Sequence, residues 1–234
     1  MDHSYIDKNI ADVRQKIHEA AVRAGRDPSS ITLLAAIKSA DIDEIQHLYE
    51  CCGVCVVGEN RVQQLTERYN KLDTSKTELH FIGSLQTNKV KYIIDKVSLI
   101  HSLDSERLAQ EIQKQAEKRN IVANVLIEIN SGGEENKGGI EPEHASAFCL
   151  SIQKYPNIKL CGFMTMAPRC ENQKDYYPYF KKTRDIALDI WHNTLKQNGE
   201  PIISMGMSES FEQAIECGSN MVRIGRCLFD RSRE

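Results

Sequence analysis

The sequence predicts a single α/β domain of (β/α)8, TIM-barrel type with an extra N-terminal helix. Three observations point there: short, almost wholly apolar runs recur eight times, helix-like amphipathic segments separate them, and polar residues gather just after several of the runs. The opening helix is read from Ile6, Ile10, Val13, Ile17, Ala20, Ala21 and Ala24, which recur at helical spacing until Gly25 and Pro28 end the pattern. Residues 31–37 form a continuous apolar run too short for a typical buried helix and suited to a parallel strand covered on both faces. Further runs fall at 54–57, 79–82, 97–100, 122–129, 158–163, 202–205 and 221–224. Helix-like segments lie between them at 41–52, 61–72, 87–96, 105–119, 141–155, 176–197 and 209–217. An open dinucleotide-binding sheet is the rival architecture, but no G-x-G-x-x-G follows the first run. No linker or repeat divides the chain, so residues 1–234 are read as one domain, with the irregular stretches 130–139 and 167–174 as candidate mobile rims.

Thirty basic and thirty-three acidic residues give a net charge of -3, which supplies no global field for nucleic acid or an anionic membrane. The N-terminus lacks the apolar core of about 7 to 15 residues that a secretory signal needs, and no stretch reaches the ~18 apolar residues of a membrane span. A cytoplasmic location is expected. Of the eight cysteines, Cys51, Cys52 and Cys55 are not followed by a second pair at zinc-ribbon spacing. Reduced thiols and no metal site are therefore expected.

A barrel of this type builds its site at the C-terminal ends of the strands, so the residues just beyond each apolar run are the candidates. Lys38 ends the first. Apolar surroundings there would disfavour its ammonium and favour a neutral amine able to form an imine, whereas an ordinary lysine would simply extend into water. The second run leads into Gly58-Glu59-Asn60, the third into Gly83-Ser84, and the fifth into Glu128 and Asn130.

The seventh leads through Ser204-Met205-Gly206-Met207-Ser208 into a helix whose first-turn N–H groups would suit an anion such as phosphate. Ser208 is equally suited to capping that helix. Arg223-Ile224-Gly225-Arg226 leaves the eighth run, where glycine allows backbone amides to approach the same anion. In isolation Arg223 also reads as a structural ion-pair residue, and Asn60 as a turn residue.

Residues 33–38, 57–60, the block His80-Phe81-Ile82-Gly83-Ser84-Leu85-Gln86-Thr87-Asn88-Lys89, the block 204–208 and residues 221–225 together resemble the pyridoxal phosphate homeostasis protein family over nearly the whole chain. The resemblance implies a barrel like the N-terminal domain of alanine racemase. It also implies pyridoxal 5'-phosphate (PLP) held as a Schiff base on Lys38, with Ser208, Gly225 and the backbone of Arg226 around the phosphate. Asn60 would line the pocket. Arg223 would face the pyridine nitrogen, where a cation disfavours protonation and mutes the ring as an electron sink. This chain departs from the family at Arg226, where threonine is usual, and at Ile37 and Ala40-Asp41, where serine precedes the lysine and proline follows it. A different path for the turn after the first strand is expected.

A racemase needs two positioned acid/base groups. Related racemases take the second, a tyrosine, from a C-terminal β-domain that this chain, ending at Glu234, is expected to lack. Tyr176, Tyr177 and Tyr179 lie in the long loop after the sixth run, from which they could arch over the site, but they are expected to pack a helix start against the barrel. The reading is thus a monomeric PLP carrier that buffers the cofactor and delivers it to apo-enzymes. A small PLP-dependent amino-acid racemase is the alternative, and a Schiff-base aldolase acting on a phosphorylated sugar is a third reading that the family blocks oppose.

Overall fold

In the computed structural model, which describes residues 3–134 and 138–233, the strands β1 Thr32–Ala36, β2 Val56–Glu59, β3 Glu78–Phe81, β4 Leu99–Leu103, β5 Ala123–Glu128, β6 Ile158–Met164, β7 Ile202–Ser204 and β8 Met221–Ile224 run parallel. They pair in sequence order, and β8 returns to β1 through Thr32↔Met221 and Ala35↔Ile224 to close the barrel. The eight expected runs each contain or overlap one of these strands.

Strand alternation divides the apolar residues into two layers. Leu34 and Ala36 meet Ile82 and Met221, and Leu99 meets Leu126 and Met164, as two small clusters that fill the lumen. The intervening residues, Ala35, Ile37, Val57, Leu79, Phe81, Val125, Ile127 and Val222, join one large cluster between strands and helices. The helices are α1 Ser4–Arg23, α2 Ile42–Glu50, α3 Val62–Tyr69, α4 Glu106–Lys118, α5 Ala145–Ile152, α6 Tyr177–Asp189 and α7 Phe211–Glu216. The additional helix α1 buries Ile6, Ile10, Val13, Ile17, Ala20 and Ala21 at the spacing that predicted it.

One expected helix does not form. Residues 87–96 hold only 3₁₀ structure over Thr87–Tyr92 followed by turns. The segment buries just Val90, Ile93 and Ile94, so one tight turn satisfies its apolar side. Ile93 N and Ile94 N both donate to Val90 O, and Arg119 donates to Lys91 O at 2.7 Å, a carbonyl that a continuing α-helix would have used itself.

Of the two expected rims, residues 135–137 within 130–139 lie outside the described residues. The rest of that stretch folds back on β5, with Ile140 N donating to Glu128 O and Asn130 N donating to Ile140 O. No helix among the described residues is long and apolar enough to cross a membrane.

Candidate functional site at the C-terminal end of the barrel

Lys38 follows Leu34 and Ala36 on the lumen-facing phase of β1, two residues beyond the last of them. The sequence left open whether its amine sits in apolar surroundings or extends into water. The structure has the latter: the apolar burial of β1 ends at Ile37, and Lys38 and Ser39 are exposed at the rim. The lysine is therefore accessible to a ligand from solvent, and its surroundings are set by the turn that carries it.

That turn is clamped from α3. Arg68 donates to Ile37 O at 2.7 Å and to Ala40 O at 2.8 Å, bracketing Lys38 and Ser39, and also to the buried Glu59 carboxylate at 2.7 Å. Glu59, the last residue of β2, spends its other oxygen on the backbone N–H of Asn60. One carboxylate thus ties the Lys38 turn, Asn60 and α3 together. Ala40 and Asp41 depart from the family pattern yet fit this path. Ala40 is buried, and Asp41 caps α2 through a reciprocal capping box with Glu44.

Asn60 is half-buried, and its side-chain Oδ1 is a buried acceptor without a hydrogen-bond partner. Such an atom is costly unless a ligand or water supplies a donor. Gly83 lies against the backbone of Asn60, where an added Cβ would sit 2.0 Å from Asn60 O. Because the obstacle is backbone and not a flexible side chain, Gly83→Ala is expected to destabilise the fold by about 1–3 kcal/mol and to displace Asn60, measurable as a lower urea midpoint.

Arg223 points into the lumen from β8 and is 5% exposed. It donates to Ser204 O and Ser204 Oγ at 2.8 Å each and to Thr165 O at 3.0 Å. These partners are neutral oxygens, so Arg223 does not take the structural ion-pair role that the sequence left open. Burial draws its pKa down to about 10, against which Glu128 acts, so the guanidinium stays cationic at neutral pH.

The sequence placed Ser208 at a helix N-terminus. Instead α7 begins at Phe211 with Ser210 at its N-cap, and Ser208 lies in the preceding turn. The β7 and β8 turns nevertheless adjoin: Cys227 Sγ approaches Ser208 O at 3.8 Å, and Arg226 pairs with Glu209 at 2.8 Å. Gly225 is buried against β1, where a Cβ would sit 3.0 Å from Ala36 O. Arg226 is exposed and its guanidinium is directed to Glu209, leaving its backbone N–H as the group suited to an anion. Lys38, Asn60, Arg223, Ser208, Gly225 and Arg226 all follow or occupy the C-terminal halves of barrel strands, around one rim.

Comparison with known proteins gives the family of this barrel. The sequence model described as "Alanine racemase, N-terminal domain" matches residues 2–232. Over 222 residues the chain is 47% identical to the pyridoxal phosphate homeostasis protein of Aquifex aeolicus, covering 95% of this chain and 96% of the relative. The chain belongs to the pyridoxal phosphate homeostasis protein family. The homeostasis protein of Helicobacter pylori 26695 is 36% identical over 228 residues, covering 94% of this chain and 99% of the relative. PipY of Synechococcus elongatus, solved without PLP, shares the fold at a TM-score of 0.84 with 25% identity over 96% of this chain and 99% of its own. The same protein has also been solved with PLP bound, at a TM-score of 0.82 and 24% identity.

Within this homeostasis-family barrel, the structure adds polar residues that the sequence reading passed over. His80 and His101 project into the lumen from β3 and β4, with rings 5.1 Å apart, and Ser204 joins them to Arg223. Both histidines lay inside or beside stretches read as apolar runs; their phase on the strand was the available signal.

Glu128, at the end of β5, was noted only as a rim residue. Burial raises its carboxyl to about 7, Asp104 adding to the rise and Arg223 opposing it. A carboxyl whose folded pKa lies above its unfolded value contributes stability that is full below about 4.5 and is lost as pH rises through about 7. Glu128→Gln is therefore expected to flatten the decline in stability over that window, worth on the order of 3 kcal/mol, in urea melts run across pH.

The three tyrosines are held by packing and hydrogen bonds, and Tyr176 lines a cavity with Ser208 and Glu209. Tyr176 is buried and stacks on Phe180 at 5.9 Å, Tyr177 bonds to Glu216, and Tyr179 packs on the core. Cys52 donates to Asp7 at 3.1 Å, and Asp7 also takes a bond from His47 at 2.7 Å, so these three potential metal ligands satisfy one another.

Proposed function

We propose that this protein binds pyridoxal 5'-phosphate as a Schiff base on Lys38 and serves cytoplasmic PLP homeostasis as a monomeric carrier, buffering the cofactor and passing it to apo-enzymes without turnover of its own. The observation that carries the reading is the convergence on one rim of an accessible amine, a buried cation and a glycine-backed pair of turns. The names of the curated relatives and PLP binding by PipY support the same ligand.

The residues fit the group. Lys38 supplies an exposed amine for the aldehyde, and Asn60 offers an unpartnered buried acceptor beside it. The turn at Ser208 and the backbone at Gly225 and Arg226 form a cradle that any side chain at 225 would crowd. When bound, PLP supplies an electrophilic carbonyl and a ring that withdraws electrons in proportion to protonation of its nitrogen. Arg223 is a donor-only cation and hands no proton to that nitrogen, which suits storage better than carbanion chemistry. Tyr177 bonds to Glu216, Tyr179 packs on the core and Tyr176 is buried against Phe180, an arrangement that speaks against any of them as the second acid/base that racemisation needs.

The test mixes PLP-loaded protein with an apo PLP enzyme and, separately, with single-enantiomer amino acids. Recovery of the acceptor enzyme's activity with no racemisation is the expected outcome. Sustained racemisation that disappears in Lys38→Ala would make the protein an enzyme.

A further inference from the structure

Beneath the rim, a file of hydrogen bonds crosses the lumen. Arg223 Nη1 lies 2.8 Å from Ser204 Oγ, Ser204 Oγ 3.2 Å from His101 Nδ1, His101 Nε2 3.0 Å from His80 Nδ1, and His80 Nε2 3.0 Å from Glu78 Oε1. Arg223, Ser204, His101 and His80 are 5%, 0%, 0% and 1% exposed. The Glu78 side chain is 56% exposed at the start of β3, the opposite end of the barrel from Lys38.

The ends of the file fix its direction. A guanidinium can only donate, so Ser204 Oγ accepts from Arg223 and has its own proton to give to His101 Nδ1. An ionised carboxylate can only accept, so His80 Nε2 must carry the proton that meets Glu78. With both imidazoles neutral, His101 Nε2–H then donates to His80 Nδ1, and every link has one donor and one acceptor. Burial, His80 and Arg223 hold His101 well below the ordinary histidine range, and the bond from His80 holds Glu78 below the usual carboxylate range. A proton added to the pair would place a second cation near Arg223 at low dielectric and reverse the links.

We propose that His101 and His80 are positioning residues for Arg223: with Ser204 they form a one-way hydrogen-bond chain, anchored by Glu78, that fixes both imidazoles as neutral Nε2–H tautomers and holds the guanidinium in place beneath the rim. The chain's bearing on the bound cofactor rests on the PLP reading above; the chain itself does not. Two ends of the barrel are thereby coupled through its core. Loss of one link leaves its neighbours buried and unpaired, which frees the guanidinium to turn away from Ser204.

Two measurements test this. In apo-protein labelled with ¹⁵N at histidine, long-range ¹H–¹⁵N spectra are expected to show His80 and His101 neutral and protonated on Nε2 at neutral pH. A proton on His101 Nδ1, or a cationic pair, overturns the proposal whatever the cofactor does.

In PLP-loaded protein, pH titration of the imine absorbance compares wild type with His101→Phe, which breaks the chain, and His101→Gln, which keeps one donor and one acceptor. The midpoint is expected to move by roughly one pH unit in His101→Phe and to return to within a few tenths in His101→Gln. Identical midpoints in all three proteins would show that the chain does not position Arg223. Should wild type bind PLP without an imine band, the covalent reading of Lys38 fails, while the spectra of the apo-protein still decide the chain.

Discussion

Lys38→Ala is expected to eliminate the imine absorbance of PLP-loaded protein and to leave only weak, dialysable cofactor, while the melting temperature without PLP stays at the wild-type value. The two halves of this expectation have separate causes. Lys38 is exposed and follows the end of β1, so its truncation removes no core contact and should change stability by no more than about 0.5 kcal/mol. In the proposed reading its amine is the nucleophile that tethers the cofactor, and phosphate and ring contacts alone would hold a small anion reversibly. Absorbance titration and a thermal melt on the same preparation check both halves. A variant that binds PLP with an unchanged visible band would move the tether to another lysine.

Glu59→Ala should be the most destabilising single change at the site. It removes the ion pair to Arg68 and the acceptor for Asn60 N, leaving a half-buried guanidinium beside a carboxylate-sized gap. Breaking a buried pair from one side costs about 3–5 kcal/mol, because the remaining charge stays desolvated. Since Arg68 also grips Ile37 O and Ala40 O, PLP affinity should fall with stability. Urea unfolding together with the absorbance titration reads both. A midpoint shift equivalent to less than about 1 kcal/mol would mean that the clamp is not what holds the Lys38 turn.

The barrel was legible because its strands are buried on both faces and read as unbroken apolar runs, the pattern that parallel sheets impose. Lys38, Asn60 and Gly225 could be picked out as candidates because they follow those runs at once, whereas Arg223 lies inside the last run and stands out only as a charge within it. What the runs concealed was polarity inside the lumen. His80 and His101 were absorbed into strands that looked apolar, and only pairing across the barrel, between β4 and β7, makes them one chain with Arg223.

Residues 87–96 were read as a helix, yet Val90, Ile93 and Ile94 are the only residues of the segment that are buried, and one tight turn covers them. At α7 the sequence reading took Ser208 as the cap, but Ser210 holds that position, without a side-chain cap hydrogen bond, so the local pattern misplaced the start. The structure starts the helix two residues later than Ser208 suggested, which leaves Ser208 in a turn with its carbonyl 3.8 Å from Cys227 Sγ. The exposure of Lys38 is a third such case, since the run that precedes it says nothing of how far the lumen's apolar fill extends.

The central claim is that one lysine tethers the cofactor. Reducing PLP-loaded wild-type protein with borohydride and mapping its peptides by mass tests it most directly. A single phosphopyridoxyl adduct on the peptide carrying Lys38 is predicted, near one per chain. An adduct spread over several surface lysines, or none at all, would contradict the account.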